Sequence, residues 1–316
     1  MLGSGVMPRL SPIVLAALCG AALDCAPAVK RTGAGVPSPQ QLAELWVAPG
    51  PQPRNLINGV GDDAPKPAAD ARYEVIARDT TGFSITYRVR DARGAEWSVK
   101  VGPEAQPEVV SSRIVWAVGY HQVPSYFVER WIGVDHGKGQ VLGGARFRPR
   151  EMGLKSRGIW SWQENPFVGT PPYNGFLVLM MILNSTDLKN ENNELYDVEG
   201  GPREGASRWY VVKDLGASLG ETGRMDPRRG YLDGFEREPF IAGVDHGRVR
   251  FAFRGRHQEL LNNIGVADVK WTCERLLAIT DRQWRDAFRA GGYTDEQTAR
   301  YVARIKQKVE QGLALR

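Results

Sequence analysis

The stretch Asn184-Ser-Thr-Asp-Leu-Lys-Asn-Glu-Asn192 brings a carboxylate, an ammonium and a side-chain amide close together, at Asp187, Lys189 and Asn192. It directly follows a run, 175–183, that is apolar on all sides and so reads as a helix buried in the centre of a domain. The polar stretch should therefore be a loop at that helix's C-terminal end. A β-type run at 208–213 comes next, and Asp214-Leu-Gly216 follows it at once. Phosphoryl transfer needs this assortment of groups. A fixed carboxylate orients a hydroxyl and takes its proton. An amide and a second carboxylate hold magnesium on hard oxygens without excess negative charge, and an ammonium offsets charge on the transferred group. The two segments contain all four parts in working order.

The run resembles the catalytic loop of the protein-kinase-like superfamily, which commonly reads Asp-Leu-Lys-Pro-Glu-Asn, and departs from it only at Asn190. Asp214-Leu-Gly is similar to that family's metal-binding Asp-Phe-Gly, with Leu215 in place of the aromatic residue. The resemblance implies that Asp187 is the base, that Lys189 touches the transferred phosphate, and that Asn192 and Asp214 hold Mg2+. Upstream, Trp97-Ser-Val-Lys100 ends a β-type segment as the family's Val-Ala-Ile-Lys does. Lys100 is then the residue for the α- and β-phosphates of ATP, with Glu108 as its acidic partner and Glu104 as the runner-up. Residues 129–131, beginning at Glu129, would form the hinge that meets the adenine.

Several departures separate the chain from ordinary Ser/Thr kinases. Ser185 and Thr186 stand where His-Arg is usual, no G-x-G-x-x-G precedes Lys100, and no Ala-Pro-Glu follows Asp214. These losses are similar to those of divergent branches such as HipA-type, phosphatidylinositol and secretory-pathway kinases. The resemblance covers about 73–216. It implies an α+β, two-lobed fold with a small antiparallel-sheet N-lobe and a mainly helical C-lobe. The implied partners are a nucleotide and a protein or small-molecule acceptor.

The elements that must position these groups read as follows. Residues 73–77, 83–89 and 96–101 are short β-type segments separated by turn-formers, an antiparallel meander. Pro107 opens a helix that should end at Gly119. A further β-type run spans 125–131, while the Gly/Arg-rich stretch 133–157 takes no clear assignment. Val-Asp-His-Gly occurs at 134–137 and again at 244–247, and turn formation accounts for both copies. Thr280 with Gln283 and Thr294 with Gln297 fit capping boxes, and Gly291–Gly292 between them gives a helical hairpin. The expected organisation is an export signal at 1–25, a Pro/Gly-rich arm or linker at 26–70, a sheet lobe with one helix at 71–131 and a helical lobe at 132–316.

Composition bounds the rest. With 316 residues, 42% apolar and 24% charged, the chain can fill a sizeable core. The net charge of +5 comes from scattered Lys and Arg, so nucleic acid is not an expected partner. Arg9, the apolar run 13–23 and its small residues Gly20, Ala21 and Ala22 describe a secretory signal, too short to span a bilayer. An exported, periplasmic or extracellular protein is expected, with membrane attachment only through a lipidated Cys19 or Cys25. Without that segment Cys273 is the one certain cysteine, so a disulfide framework is not expected. The four histidines lack zinc-ligand spacing. Besides a phosphotransferase, two readings remain: an exported non-catalytic module of kinase shape, since ATP is scarce outside the cytoplasm, and an interaction protein without nucleotide.

Overall fold

Alternation along 96–101 turns Trp97 and Val99 to one face of an extended strand and Ser98 and Lys100 to the other. The computed structural model describes residues 28–33, 35–61, 66–185, 187–223 and 226–316. The expected export segment, with Cys19 and Cys25, lies outside them. The chain begins with β1 (Lys30–Arg31), α1 (Pro39–Ala43), β2 (Arg72–Asp79), β3 (Ile85–Arg90) and β4 (Glu96–Val101). Then come α2 (Ala105–Ala117), β5 (Tyr126–Val128), β6 (Trp131–Asp135), β7 (Lys138–Leu142), β8 (Ala145–Pro149) and β9 (Leu154–Gly158). β10 (Glu164–Asn165), α3 (Pro171–Ile182), β11 (Asn193–Val198), β12 (Arg208–Val212) and α4 (Leu232–Arg237) follow. The chain closes with β13 (Ile241–Asp245), β14 (Arg248–Phe251), α5 (Val266–Leu277), α6 (Asp281–Ala290) and α7 (Asp295–Leu313).

The architecture is mixed α/β, built on a curled seven-stranded sheet of order β5-β8-β4-β3-β2-β6-β7. β2, β3 and β4 form the expected antiparallel meander, but β2 pairs with β6 in parallel. One face of the sheet carries a packed aromatic core of Tyr73, Trp97, Trp131 and Phe147, in which the Trp131 and Phe147 rings stand perpendicular with centroids 5.5 Å apart. β7, β8 and all of β6 but its first residue come from beyond residue 131, so the sheet continues past that point. The run expected as one strand at 125–131 is two, broken at Glu129 and Arg130. Helix α2 starts two residues before Pro107, which sits without penalty in the first turn because the missing N–H would be unpaired there. Both Val-Asp-His-Gly copies are two-residue hairpin turns with positive φ, 46° at His136 and at His246, and glycine next.

The Pro/Gly-rich arm differs from a loose linker. Leu45 and Leu56 are 1% exposed, and Trp46 donates from Nε1 to the Val118 carbonyl at 2.7 Å. The buried guanidinium of Arg113, on α2, donates to the carbonyls of Leu56, Asn58 and Ser125. A few apolar anchors and these backbone bonds hold the segment, where composition alone suggests solvation.

Helix α3 is the centre of the larger core. Thr170 caps it by accepting the Tyr173 N–H, and Pro171 and Pro172 start it. Gly175 admits the Trp271 ring of α5, since a Cβ there would lie 2.5 Å from it. Both expected capping boxes are formed, at the starts of α6 and α7.

The exit of α3 sets the height of the loop that follows. Ser185 N–H reaches back to the Met180 carbonyl and Asn184 N–H to Met181, with Asn184 left-handed at φ 54°. Two carbonyls are left over. The Leu183 carbonyl accepts from the Leu219 N–H at 2.8 Å, and the Ile182 carbonyl accepts from Lys308 Nζ of α7 at 2.9 Å. Lys308 Nζ also donates to Asn184 Oδ1 at 2.7 Å, while Asn184 Nδ2 donates to the Gly220 carbonyl. Burial drives Lys308 well below its ordinary value; Arg304 adds to this and Glu238 opposes it.

In this state the folded chain binds fewer protons at Lys308 than the unfolded chain does. The resulting penalty is full below the folded value and gone above the unfolded value of about 10.4. Stability should therefore rise with pH through that window. Lys308→Met should flatten this rise, so its deficit from stranding two buried oxygens, about 1–3 kcal/mol before that penalty is counted, should be smaller at about pH 7 than at about pH 9. Urea midpoints at about pH 7 and about pH 9 read both effects, and equal pH slopes in the two proteins would count against this account.

Candidate active site

Register decides what surrounds Lys100. In the β4–β8 pair Lys100 lies opposite Arg146, and Ser98 opposite Arg148. Cations facing one another across strands repel. Glu108, 1% exposed on α2, resolves this: its Oε1 lies 2.7 Å from Arg146 Nε and 2.8 Å from an Arg148 Nη, and its Oε2 lies 2.8 Å from Lys100 Nζ. Lys100 Nζ also meets Asp214 Oδ2 at 2.7 Å and Glu104 Oε2 at 3.3 Å. Glu104 and Glu108 stand one turn apart, so both carboxylates weighed as partners of Lys100 contact it. Glu104 is fixed further by Ser84 Oγ at 2.8 Å and Arg229 Nε at 2.9 Å.

Gly216 has a steric role here. A Cβ at that position would sit 2.6 Å from the Glu104 Cβ and displace it. The Gly216 N–H in turn donates to Asp214 Oδ1. Burial alone would lower Lys100, but the carboxylates of Glu108 and Asp214 outweigh it and hold the ammonium above its ordinary value. Burial would raise Asp214; the adjacent Lys100 ammonium and the Gly216 N–H hold it well below the usual carboxylate range. Its side chain is still 36% exposed, so it can meet a ligand.

Asp187, Lys189 and Asn192 lie next to this cluster. Buried Leu188 pins the loop between them. Asn192 Nδ2 donates to the Asp187 carbonyl at 2.7 Å, and the Asn192 carbonyl accepts the N–H groups of Lys213 and Asp214. The loop and the second acidic segment are thus joined through one asparagine, whose Oδ1 accepts from nothing among the described residues. Asn190, the departure from the family's proline, uses its side chain: Oδ1 accepts from Trp162 N–H at 2.8 Å and Nδ2 donates to Gln163 Oε1. Lys189 Nζ pairs with Asp187 Oδ2 at 2.8 Å. Arg148 donates to the Lys213 carbonyl, tying the sheet to the strand before Asp214.

Asn192 Oδ1 and the Asp214 carboxylate are hard oxygens of the kind magnesium takes. Among the described residues no group of three or more His, Cys, Asp or Glu forms a cage. Two protein oxygens would suit an ion that keeps several waters of its own.

Glu129 is not brought to this cluster. It is exposed at the break between β5 and β6 and lines surface cavities beside Arg130 and Phe127. β8 lies between β4 and β5 and leaves β5 at the sheet edge. Arg146, Arg148, Arg229 and Lys308 were not singled out from sequence. Arg146-x-Arg148 had a readable signal, two cations at the period of one strand face; Arg229 and Lys308 had none.

No protein-family model and no curated protein matches the chain. Among solved structures it is similar to the Helicobacter pylori proinflammatory kinase CtkA, with 8% identity and a TM-score of 0.44 over 78% of this chain and 97% of that one. So loose a likeness carries no conclusion about this site.

Glu108 answers to three cations at once. Glu108→Gln should cost about 3–5 kcal/mol in urea unfolding, the range for removing one partner from a buried pair. A loss below about 1 kcal/mol would mean that the cluster is solvated rather than buried.

Proposed function

We propose that the chain is an ATP- and magnesium-dependent phosphotransferase of protein-kinase-like type, acting on a hydroxyl of a protein or small molecule. The observation that carries this reading is the contact of Lys100 with Asp214, 114 positions apart, together with Glu108. In this reading the sheet with α2 and the mainly helical remainder are the two lobes of such a fold. Lys100, held by Glu108, takes the α- and β-phosphates of ATP. Asn192 and Asp214 hold magnesium, which when bound neutralises charge on the phosphate oxygens. Asp187 orients the acceptor hydroxyl and receives its proton, and Lys189 offsets charge on the transferred group. The export signal expected at 1–25 would place this activity outside the cytoplasm.

One feature favours a second reading, an exported non-catalytic module of the same shape. The Lys100 side chain is only 8% exposed, and Glu104 beside it is bound to Arg229, whose guanidinium stacks 3.6 Å from the Phe83 ring centroid. Nucleotide would have to part these contacts to reach the ammonium.

Thermal unfolding with ATP, with and without magnesium, discriminates. At a hundredfold excess over Kd the nucleotide should stabilise the chain by about 2.7 kcal/mol. Asp214→Ala should abolish the magnesium-dependent part, and an unchanged shift in that variant would refute the assignment. Nucleotide binding with no phosphate transfer to any acceptor would select the module instead.

A further inference from the structure

Asp187, Lys189, Asp226, Arg229 and Arg256 converge on one cavity of about 220 Å³. Lys189 is paired with Asp187 at 2.8 Å, and Arg229 with Glu104 and Asp226 at 2.9 and 3.3 Å. Arg256 is exposed and has no carboxylate partner among the described residues. Among the described residues it is the cation left over at the cavity that holds the candidate base. A guanidinium presents a planar fork of donors that matches a carboxylate or phosphate. The volume falls below the roughly 300–1,000 Å³ of pockets that enclose a whole ligand, and suits one side chain or a small acid.

Resting on the phosphotransfer reading of Asp187, we propose that this cavity is the acceptor subsite and that it selects a hydroxyl flanked by a carboxylate or phosphate, with Arg256 holding the anion. In the transfer, the acceptor oxygen bonds to the γ-phosphorus of ATP. The bond from that phosphorus to the β,γ-bridging oxygen breaks, and its electron pair leaves with ADP. The hydroxyl proton passes to the Asp187 carboxylate and from there to solvent. Lys189, beside Asp187, keeps that carboxylate from repelling the incoming anion.

Calorimetric titration of the full chain tests this. One arm uses serine peptides flanked by aspartate, by glutamine or by lysine; the other sets glycerol 3-phosphate against glycerol. The anionic probe in at least one arm should bind about tenfold tighter than its neutral counterpart, and that arm identifies the source of the anion. Arg256→Glu should erase the difference, and Arg256→Lys should keep most of it. Equal binding of charged and neutral probes in both arms, or a preference that survives Arg256→Glu, overturns the proposal. The magnesium–ATP shift is read on the same samples. Its presence without an anion preference removes only the acceptor assignment. Its absence beside an intact preference removes phosphotransfer and leaves an anion site.

Discussion

Burying the Lys100 ammonium is possible only if carboxylates reach it from other parts of the chain, and that requirement organises the structure around it. Removing an ion from water costs several kcal/mol, and mutual attraction offsets this only when hydrogen-bond geometry is close. Lys100 meets this condition with Glu108 and Glu104 of the α2 turn and with Asp214, which follows β12. Strand, helix and a segment more than a hundred residues away must then keep their relative positions within a few tenths of an ångström. Arg146 and Arg148 add cations on the same strand face, so Glu108 can neither leave nor be neutralised without stranding charge. Gly216 belongs to this constraint as well, because the room Glu104 needs is the room a side chain at 216 would take.

A second constraint fixes the loop that carries Asp187. The last carbonyls of a buried helix cannot reach water, so each needs a partner inside the protein. Those at the end of α3 find theirs in Lys308 of the last helix and in Leu219, beyond Asp214. Asn184 doubles the link by accepting from Lys308 and donating to Gly220. Asp187 and Asp214 thus hang from one anchored point, and Asn192 spans the short gap between their segments. The C-terminal helix supports the candidate site from beneath though it contributes nothing to its surface.

What the sequence revealed follows the range of the forces involved. Local signals read well: β4 begins and ends where alternation places it, and both threonine capping boxes form. Lys100, Glu108 and Asp214, singled out by type and order, meet in space, and Asn192 links the Asp187 loop to Asp214. Register and tertiary pairing were not. The parallel β2–β6 pair and the insertion of β8 between β4 and β5 depend on contacts that no local pattern encodes. In the arm expected at 26–70, Leu45 and Leu56 are buried among the Pro and Gly residues, a packing that composition does not convey. Lys308 was illegible because a lysine on an amphipathic helix ordinarily faces water.

The absence of a glycine-rich loop before Lys100 has a physical counterpart. In such loops backbone N–H groups cradle phosphates, whereas here the turn between β2 and β3 makes its contacts through side chains. Ser84 donates to Glu104, and Phe83 lies under Arg229. Glu104 is therefore shared between Lys100 and Arg229, two cations that a polyphosphate would also attract. A bound phosphate would compete with Glu104 for both, and the carboxylate, displaced, would keep Ser84 as a partner. Nucleotide entry would then exchange one set of charge-assisted hydrogen bonds for another instead of exposing unpaired ions. In the proposed phosphotransfer reading, an exchange of that kind keeps the cations paired with carboxylates and still positioned for an anionic substrate.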